Sequence, residues 1–252
     1  MSGERLQERI RRLRTVLERA DRICVLTGAG ASAESGVPVY RGNEGLYSAF
    51  SAEDMATPEG FARNVERVWQ WYNERREQLS RMRPNAGHEA LARIERRLAE
   101  RRAQDGRFTL VTQNIDGLHQ AAGSRNVLEL HGNIWKVRCT TCSHVDDATG
   151  RLFNGVPQCP RCGEVCRPHV VWFGEMLPQD VWAEALRAAA TCEVFLSVGT
   201  SAVVQPAASL VHVASDSGAT VAEINLDATP NTHWVDLSLL GPSGEILPSL
   251  LD

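Results

Sequence analysis

Four cysteines in two pairs could bind a metal ion. Cys139 and Cys142 form one CxxC motif, Cys159 and Cys162 form a second, and sixteen residues separate the two motifs. This spacing allows four thiolates to surround Zn²⁺ as a tetrahedron. Because four sulfur ligands leave no open coordination position, the motifs predict a structural zinc ion rather than a catalytic one. A nearby fifth cysteine, Cys166, is surplus to this ligand set.

Three polar turns could together hold a nucleotide. Gly28 to Ser32 (GAGAS) follows an apolar run, and glycine there lets the backbone approach a pyrophosphate where the next helix offers free N–H groups. Gly199-Thr200-Ser201 and Asn225-Leu226-Asp227 end two further apolar runs. Ligands bind at the edge where the carboxyl ends of parallel strands meet, so the three turns predict a dinucleotide site. Each turn alone is equally explained by packing or capping, and the six-residue Rossmann fingerprint is absent.

The bulk composition is that of an ordinary globular protein. The 252 residues are 43% hydrophobic and 23% charged, with a net charge of −4, so no bulk basicity attracts nucleic acid. No run approaches the roughly 20 apolar residues of a membrane span. Acidic residues interrupt the arginine-rich N-terminus, unlike a targeting peptide. We therefore expect a cytoplasmic protein with neither nucleic-acid nor membrane partners.

Strand-like runs alternate with helical patterns along most of the chain. The apolar runs typical of buried strands are residues 23–26, 108–111, 127–130, 194–198 and 221–224. Amphipathic helical patterns cover residues 1–20, 85–102, 179–190 and 205–215. This alternation predicts an α/β fold with a Rossmann-like, doubly wound parallel sheet.

Two stretches interrupt the alternation. Residues 40–83 are helical and rich in Trp, Tyr and Arg, and residues 136–167 carry the CxxC motifs. We predict that both are insertions, one helical and one zinc-binding, which together form a small lobe. Residues 1–39, 84–135 and 168–252 would then form the Rossmann-like domain.

Several segments resemble the sirtuins in their order and spacing. They are GAGASAESGVPVYRG at 28–42, TQNIDGLH at 112–119, LHG at 130–132, VVWFGE at 170–175, GTS at 199–201 and NLD at 225–227. With the CxxC pair, the resemblance spans nearly the whole chain beyond residue 20. It implies that NAD is consumed: the acyl-lysine oxygen attacks the nicotinamide ribose, nicotinamide leaves, and acyl-ADP-ribose is released with free lysine.

The resemblance also implies roles for individual residues. His131 matches the general base, a role that suits imidazole near neutral pH, with Asn114 and Asp116 as further catalytic residues. The implied NAD-binding residues are Gly28, Ala29, Ser32, Glu34, Tyr40, Arg41, Gln113, Asn114, Ile115, Asp116, Gly199, Thr200, Ser201, Asn225, Leu226, Asp227 and Ser243. Tyr40 stands where the family usually has Phe. Val171, Gly174, Glu175 and Met176 match the segment whose backbone pairs with the substrate peptide.

Tyr72 and Arg75 set the expected acyl specificity. They lie three residues apart in a helical pattern over 65–79 and so share a face. A Tyr-x-x-Arg pair lies in the acyl pocket of the sirtuin branch that removes malonyl, succinyl and glutaryl groups, and Ala56 with the two residues after it also resembles that branch. A guanidinium can bind a carboxylate through two hydrogen bonds, and the phenol adds one. We predict activity on these acidic groups and on acetyl.

Other interpretations of the same residues remain open. Arg75 on a solvated helix would pair with Glu74, with Glu77 or with nothing, and Arg76 and Arg81 are expected to be surface charges. A protein mono-ADP-ribosyltransferase would use the same NAD chemistry. An NAD-sensing or zinc-ribbon interaction module would need no catalytic base. The expected partners are acyl-lysine proteins or peptides, and a monomer is the default expectation.

Overall fold

The computed structural model describes residues 3–38, 52–102 and 107–252. The predicted NAD-binding residues Tyr40 and Arg41 lie outside the described residues. None of the helices in these ranges combines the length and apolar character that a bilayer span requires.

A six-stranded sheet forms the centre of the large lobe. Its strands are β1 (Arg22–Thr27), β2 (Arg107–Thr112), β3 (Val127–Glu129), β7 (Val194–Val198), β8 (Thr220–Asn225) and β9 (Leu237–Leu240). Their order is β3-β2-β1-β7-β8-β9, and every neighbouring pair is parallel. Counted alone, these six strands follow the 3-2-1-4-5-6 order of a doubly wound Rossmann sheet. The predicted fold class is confirmed.

Helices cover both faces of this sheet. They are α1 (Gly3–Arg19), α2 (Gly30–Ala33), α6 (Ala86–Arg102), α7 (Leu118–Ala121), α8 (Gln179–Thr191), α9 (Leu210–Asp216) and α10 (Ser243–Ser249). Successive strand residues point to opposite faces. Val25 therefore packs in one core with α1, α6 and α10, whereas Leu26 packs in a second core with α8 and α9. A short 3-10 turn, Ala207–Ser209, precedes α9 within the region predicted to be one helix.

In its described residues, the small lobe contains three helices and a three-stranded antiparallel sheet. The elements are α3 (Ala52–Met55), α4 (Pro58–Arg63), α5 (Val65–Ser80), β4 (Gly132–Cys139), β5 (Val145–Asp147) and β6 (Cys166–Val170), with strand order β5-β4-β6. Thr57 and Asn64 cap α4 and α5 by accepting backbone N–H bonds. Helices and strands share one aromatic-rich core, so the two insertions are a single packed unit. The exact division of the chain into lobes stays a prediction.

Arg76 corrects one expectation for the small lobe. It was expected at the surface, but its side chain is fully buried. Its guanidinium lies 5.5 Å from the ring centre of Trp69 and 4.9 Å from that of Phe153. Burial lowers its pKa to about 10. The buried face of α5, which packs on the zinc-binding segment, therefore includes Arg76 as well as apolar residues. Arg81 is exposed, as expected.

Candidate active site and zinc site

A cavity of about 1270 Å³ lies between the two lobes, at the carboxyl ends of the central strands. It is larger than the roughly 300–1,000 Å³ of a typical small-molecule site. The predicted residues that line it are Gly28, Ala29, Ala56, Tyr72, Gln113, Asn114, Ile115, His131, Val171, Gly174, Glu175, Met176, Gly199, Thr200, Ser201, Asn225, Leu226 and Asp227. Residues far apart in the sequence thus meet where the strand order reverses between β1 and β7.

Glycines allow the first turn to pack directly against the end of β7. The N–H of Gly28 donates to Val198 O at 3.0 Å, and that of Gly30 donates to Gly199 O at 2.8 Å. A Cβ added to Gly30 would lie 2.8 Å from that same oxygen. The helix that follows, α2 (Gly30–Ala33), is a single turn. These two N–H groups are therefore not free for a phosphate, and the glycines provide close packing.

A buried hydrogen-bond network joins this turn to the end of β2. The amide of Asn114 donates to Gly28 O at 3.0 Å and to the hydroxyl of Ser32 at 3.1 Å. Ser32 in turn donates to the carboxylate of Asp116 at 2.8 Å. Burial raises the pKa of Asp116, although its hydrogen bonds from Leu118 N–H and Ser32 act in the opposite direction. The network fixes the orientation of Asn114 beside the cavity.

His131 projects into the cavity from the turn before β4. Its Nδ1 lies 2.8 Å from the carbonyl oxygen of Gln113. Because a carbonyl can only accept, Nδ1 carries a proton and Nε2 is left as the basic nitrogen. Burial lowers the pKa of His131, and the bond to Gln113 partly offsets that effect. The imidazole is therefore held neutral in one orientation, as a general base requires.

Some predicted site residues do not line the large cavity. Asp116 and Arg75 line a smaller chamber of about 50 Å³ that shares the wall formed by Trp71 and Asn114. Ser32 lies behind the glycine turn in the hydrogen-bond network described above. Glu34 and Ser243 are paired: the carboxylate of Glu34 accepts from the hydroxyl of Ser243 at 3.3 Å and from Gly244 N–H at 2.7 Å. Their roles toward NAD stay predictions.

Hydrogen bonds join the loops after β7 and β8 to the same site. The amide of Gln113 donates to the hydroxyl of Thr200 at 3.1 Å. Asn225 donates to the carbonyl of Thr200 at 3.0 Å. Thr200 therefore joins the ends of β2, β7 and β8, while the neighbouring side chains of Ser201 and Leu226 are exposed.

The segment after β6 forms the opposite wall. Val171 N–H donates to His131 O, and Phe173 N–H donates to Ala56 O, both at 2.9 Å. The structure also brings to the cavity residues that were not predicted from sequence, among them Trp71, Trp172, Phe173, Leu177, Trp182, Gln205, Thr229 and Pro230. Trp172 and Phe173 stand inside the VVWFGE motif, which is the signal that could have identified them. Thr229 and Pro230 follow no periodic pattern.

Tyr72 and Arg75 share a helix face but reach different spaces. Tyr72 is buried, lines the large cavity and accepts a hydrogen bond from Trp172 Nε1 at 2.8 Å. Arg75 lies 4.9 Å over the ring of Trp71 and donates to Gln78 at 2.8 Å. Within the described ranges it has no carboxylate partner and its buried Nε is unpaired. Arg75 therefore does not pair with either neighbouring glutamate.

The four CxxC cysteines converge at one end of the small lobe. Their Sγ atoms all lie within 4.8 Å of one another, and the Cys139–Cys162 and Cys142–Cys159 pairs are each 3.5 Å apart. Sulfurs about 2.3 Å from a tetrahedral Zn²⁺ would lie about 3.8 Å from each other. The N–H of Cys142 is the main cause that lowers the pKa of Cys139 to about 6, which favours the thiolate. The cluster fits a structural zinc ion.

A large cavity at the switch point of a doubly wound sheet places this chain in the class of dinucleotide-binding α/β proteins. Residues 28–206 match the Sir2 family. A protein of Aquifex aeolicus named NAD-dependent protein deacylase is 48% identical over 216 residues, which cover 85% of this chain and 87% of that protein. One of Archaeoglobus fulgidus named NAD-dependent protein deacylase 1 is 44% identical over 240 residues and 95% of each chain.

Solved structures agree with the sequence comparisons. A Sir2 homologue in complex with NAD is 42% identical and superimposes with a TM-score of 0.85, covering 96% of this chain and 92% of that chain. A Sir2 structure with a deacetylated p53 peptide and 3′-O-acetyl ADP-ribose is 30% identical, with a TM-score of 0.80 over 96% of this chain and 97% of that chain. The chain belongs to the Sir2 family, the sirtuins.

Proposed function

We propose that this chain is an NAD-dependent protein-lysine deacylase that removes succinyl, malonyl and glutaryl groups as well as acetyl groups. Its family and the names of its relatives support the deacylase activity, and the homologue solved with NAD supports NAD as the consumed co-substrate. The acyl oxygen attacks the nicotinamide ribose as the bond to nicotinamide breaks. Water then enters, and the products are free lysine and O-acyl-ADP-ribose.

His131 is the general base of this proposal. Its Nδ1–H is held by the carbonyl of Gln113, so Nε2 can accept a proton from a ribose hydroxyl. The strand-end loops of the large lobe would hold NAD, and the segment Val171–Met176 would pair with the backbone of the peptide. The acyl chain would enter between His131 and helix α5, which supplies Trp71 and Tyr72 to the cavity wall.

One observation supports specificity for acidic acyl groups: Arg75 is a cation that has no anionic partner among the described residues. It lies half-buried in the smaller chamber, over the Trp71 ring that separates this chamber from the large cavity, and it contacts a neutral amide and that aromatic face. A guanidinium in such a place gains from a carboxylate that can accept two hydrogen bonds. The Tyr72 hydroxyl, which accepts from Trp172 Nε1, is a second polar group on the same face of α5 and lines the large cavity.

The test compares Arg75→Met with the native enzyme on one peptide that carries succinyl-lysine or acetyl-lysine. Loss of a hydrogen bond to a charged group costs about 1.5–3 kcal/mol, so kcat/KM for the succinyl peptide should fall by roughly 10- to 100-fold. The acetyl peptide has no carboxylate, and its kcat/KM should change by less than about twofold. Tyr72→Phe should reduce desuccinylation in the same direction by a smaller factor.

Arg81→Met is the matched control because Arg81 is an exposed cation near the end of the same helix. It should leave both activities unchanged. Equal losses on both peptides in Arg75→Met would show that Arg75 does not recognise the acyl carboxylate. Mass spectrometry should identify O-acyl-ADP-ribose among the products, whereas an ADP-ribosylated protein in its place would support the transferase alternative.

A further inference from the structure

The carboxylate of Glu175 is held by the protein and is not free to meet a substrate. Arg167 donates to both of its oxygens, at 2.6 Å and 2.9 Å. Trp172 N–H donates at 2.8 Å and Arg138 donates at 3.2 Å. Glu175 was expected among the residues that contact the peptide, and it does border the cavity. Its four hydrogen bonds nevertheless point to a role in holding its own segment.

Arg167 contacts the end of β6 and the segment that follows it at three places. Besides the two bonds to Glu175, it donates to Val170 O at 3.0 Å. Its guanidinium also lies 3.3 Å from the ring centre of Trp172. Only 7% of the Arg167 surface is exposed, so the packing fixes the planar guanidinium in one orientation. A single buried side chain thus contacts the last residue of β6 and two residues, Trp172 and Glu175, of this wall of the cavity.

The charges of Arg138, Arg167 and Glu175 stabilise one another only when the three side chains are in contact. Arg138 and Arg167 are direct neighbours across β4 and β6, where two cations repel. Glu175 binds both and compensates for this repulsion. Burial disfavours the Glu175 carboxylate, but the hydrogen bonds from Arg167 and Trp172 N–H outweigh it and the pKa of Glu175 is lowered. Removing the carboxylate would leave two partly buried cations without their anion.

Two backbone hydrogen bonds also hold this segment, one from Val171 to His131 in the large lobe and one from Phe173 to Ala56 in the small lobe. We propose that Arg167, acting through Glu175, is a positioning residue. It fixes the position of the segment Val171–Met176 in the cavity wall and thereby determines the affinity for the acyl-peptide. This inference rests on the deacylase function proposed above but not on its preference for acidic acyl groups. It makes the zinc-binding lobe a determinant of peptide binding, separate from NAD binding.

Steady-state kinetics of Glu175→Gln test the proposal, with zinc content and melting temperature measured on the same samples. The peptide carries whichever acyl group the native enzyme removes, acetyl included. A misplaced binding segment should raise KM for the peptide by roughly tenfold or more, while KM for NAD stays within about twofold. Arg167→Lys keeps the charge but not the paired bonds, so its peptide KM should lie between the native value and that of Arg167→Met.

Asp146→Asn is the matched control, since Asp146 forms an exposed ion pair with Arg151 in the same lobe. It should leave every kinetic constant unchanged. An unchanged peptide KM in Glu175→Gln would overturn the proposal. A lower kcat together with higher KM values for both peptide and NAD and a loss of zinc would also overturn it, because that result describes general unfolding of the lobe. A native enzyme that removes acetyl but not succinyl refutes only the acyl preference.

Discussion

At the scale of single residues, burial decides the protonation state of His131. Its pKa lies below the ordinary value of 6.5 because burial disfavours the imidazolium. A general base works only when it is unprotonated, so activity is lost as pH falls through the lowered pKa. The acid limb of the kcat/KM profile should therefore have its midpoint below pH 6.5. Rates measured with the acetyl peptide between about pH 5 and 8 would show this.

His131→Asn should lower kcat by at least about 100-fold, the usual contribution of a general base. Binding of NAD, measured by calorimetry, should persist. An acid limb at or above pH 6.5, or turnover retained in the variant, would exclude His131 as the base.

Residue types at the site could be predicted from sequence, but their partners could not. A polar turn after an apolar run marks the end of a strand, which is why Thr200 and Asn225 were identified, whereas Gln113 was identified by the resemblance of residues 112–119 to the sirtuins. The pairing of Glu34 with Ser243 joins positions 209 residues apart and depends on how α10 packs. The burial of Arg76 has the same origin, since aromatic neighbours from another segment cover it.

At the scale of elements, the close approach of two turns is the feature most sensitive to substitution. A Cβ on Gly199 would lie 2.2 Å from Ala31 N, and its φ of +59° disfavours any side chain. Gly199→Ala should therefore separate the first turn from the end of β7 and raise KM for NAD by roughly tenfold or more. Steady-state kinetics with varied NAD would measure it.

Gly218→Ala provides the control for backbone strain alone. Its φ is +84°, but a Cβ there would meet nothing within 4 Å. It should cost about 1 kcal/mol of unfolding free energy and leave KM for NAD unchanged. If both alanine variants changed KM equally, close packing of the turns would not be the cause.

Elements buried on both faces were the most predictable. Five consecutive buried residues in β1 and in β7 give continuous apolar runs that the sequence shows directly. Strand β9 was missed because it is a four-residue edge strand with alternating burial, too short for a periodic signal. The N–H groups expected to be free after the glycine turn are instead used in part for packing, since those of Gly28 and Gly30 donate to Val198 O and Gly199 O at the end of β7.

At the scale of the whole molecule, two buried histidines make stability depend on pH. His88 and His119 lie 4.7 Å apart between ring centres, and burial lowers their pKa values to about 4 and about 3. In the unfolded chain both protonate below about pH 6.5. Between these values the unfolded state binds more protons, so the free energy of unfolding falls as pH falls, by up to about 1.4 kcal/mol per pH unit for each histidine.

Urea unfolding at about pH 7 and pH 5 would measure this loss. His119→Gln should remove one of the two contributions and make the pH dependence shallower, even if the variant is less stable at pH 7. Parallel pH dependences for the native protein and the variant would contradict the assignment.

The cavity has two walls that belong to different cores. Gln113 and Asn114 extend from the central sheet, whereas Trp71 and Tyr72 belong to the core of the small lobe. A substitution on α5 therefore repacks a core that is distinct from the two cores of the central sheet and that meets the predicted nucleotide-binding residues at Ile115. Reaction and specificity can be inherited separately in such an arrangement. Drift, or directed evolution confined to one helix, can change the acyl groups accepted while the NAD chemistry persists.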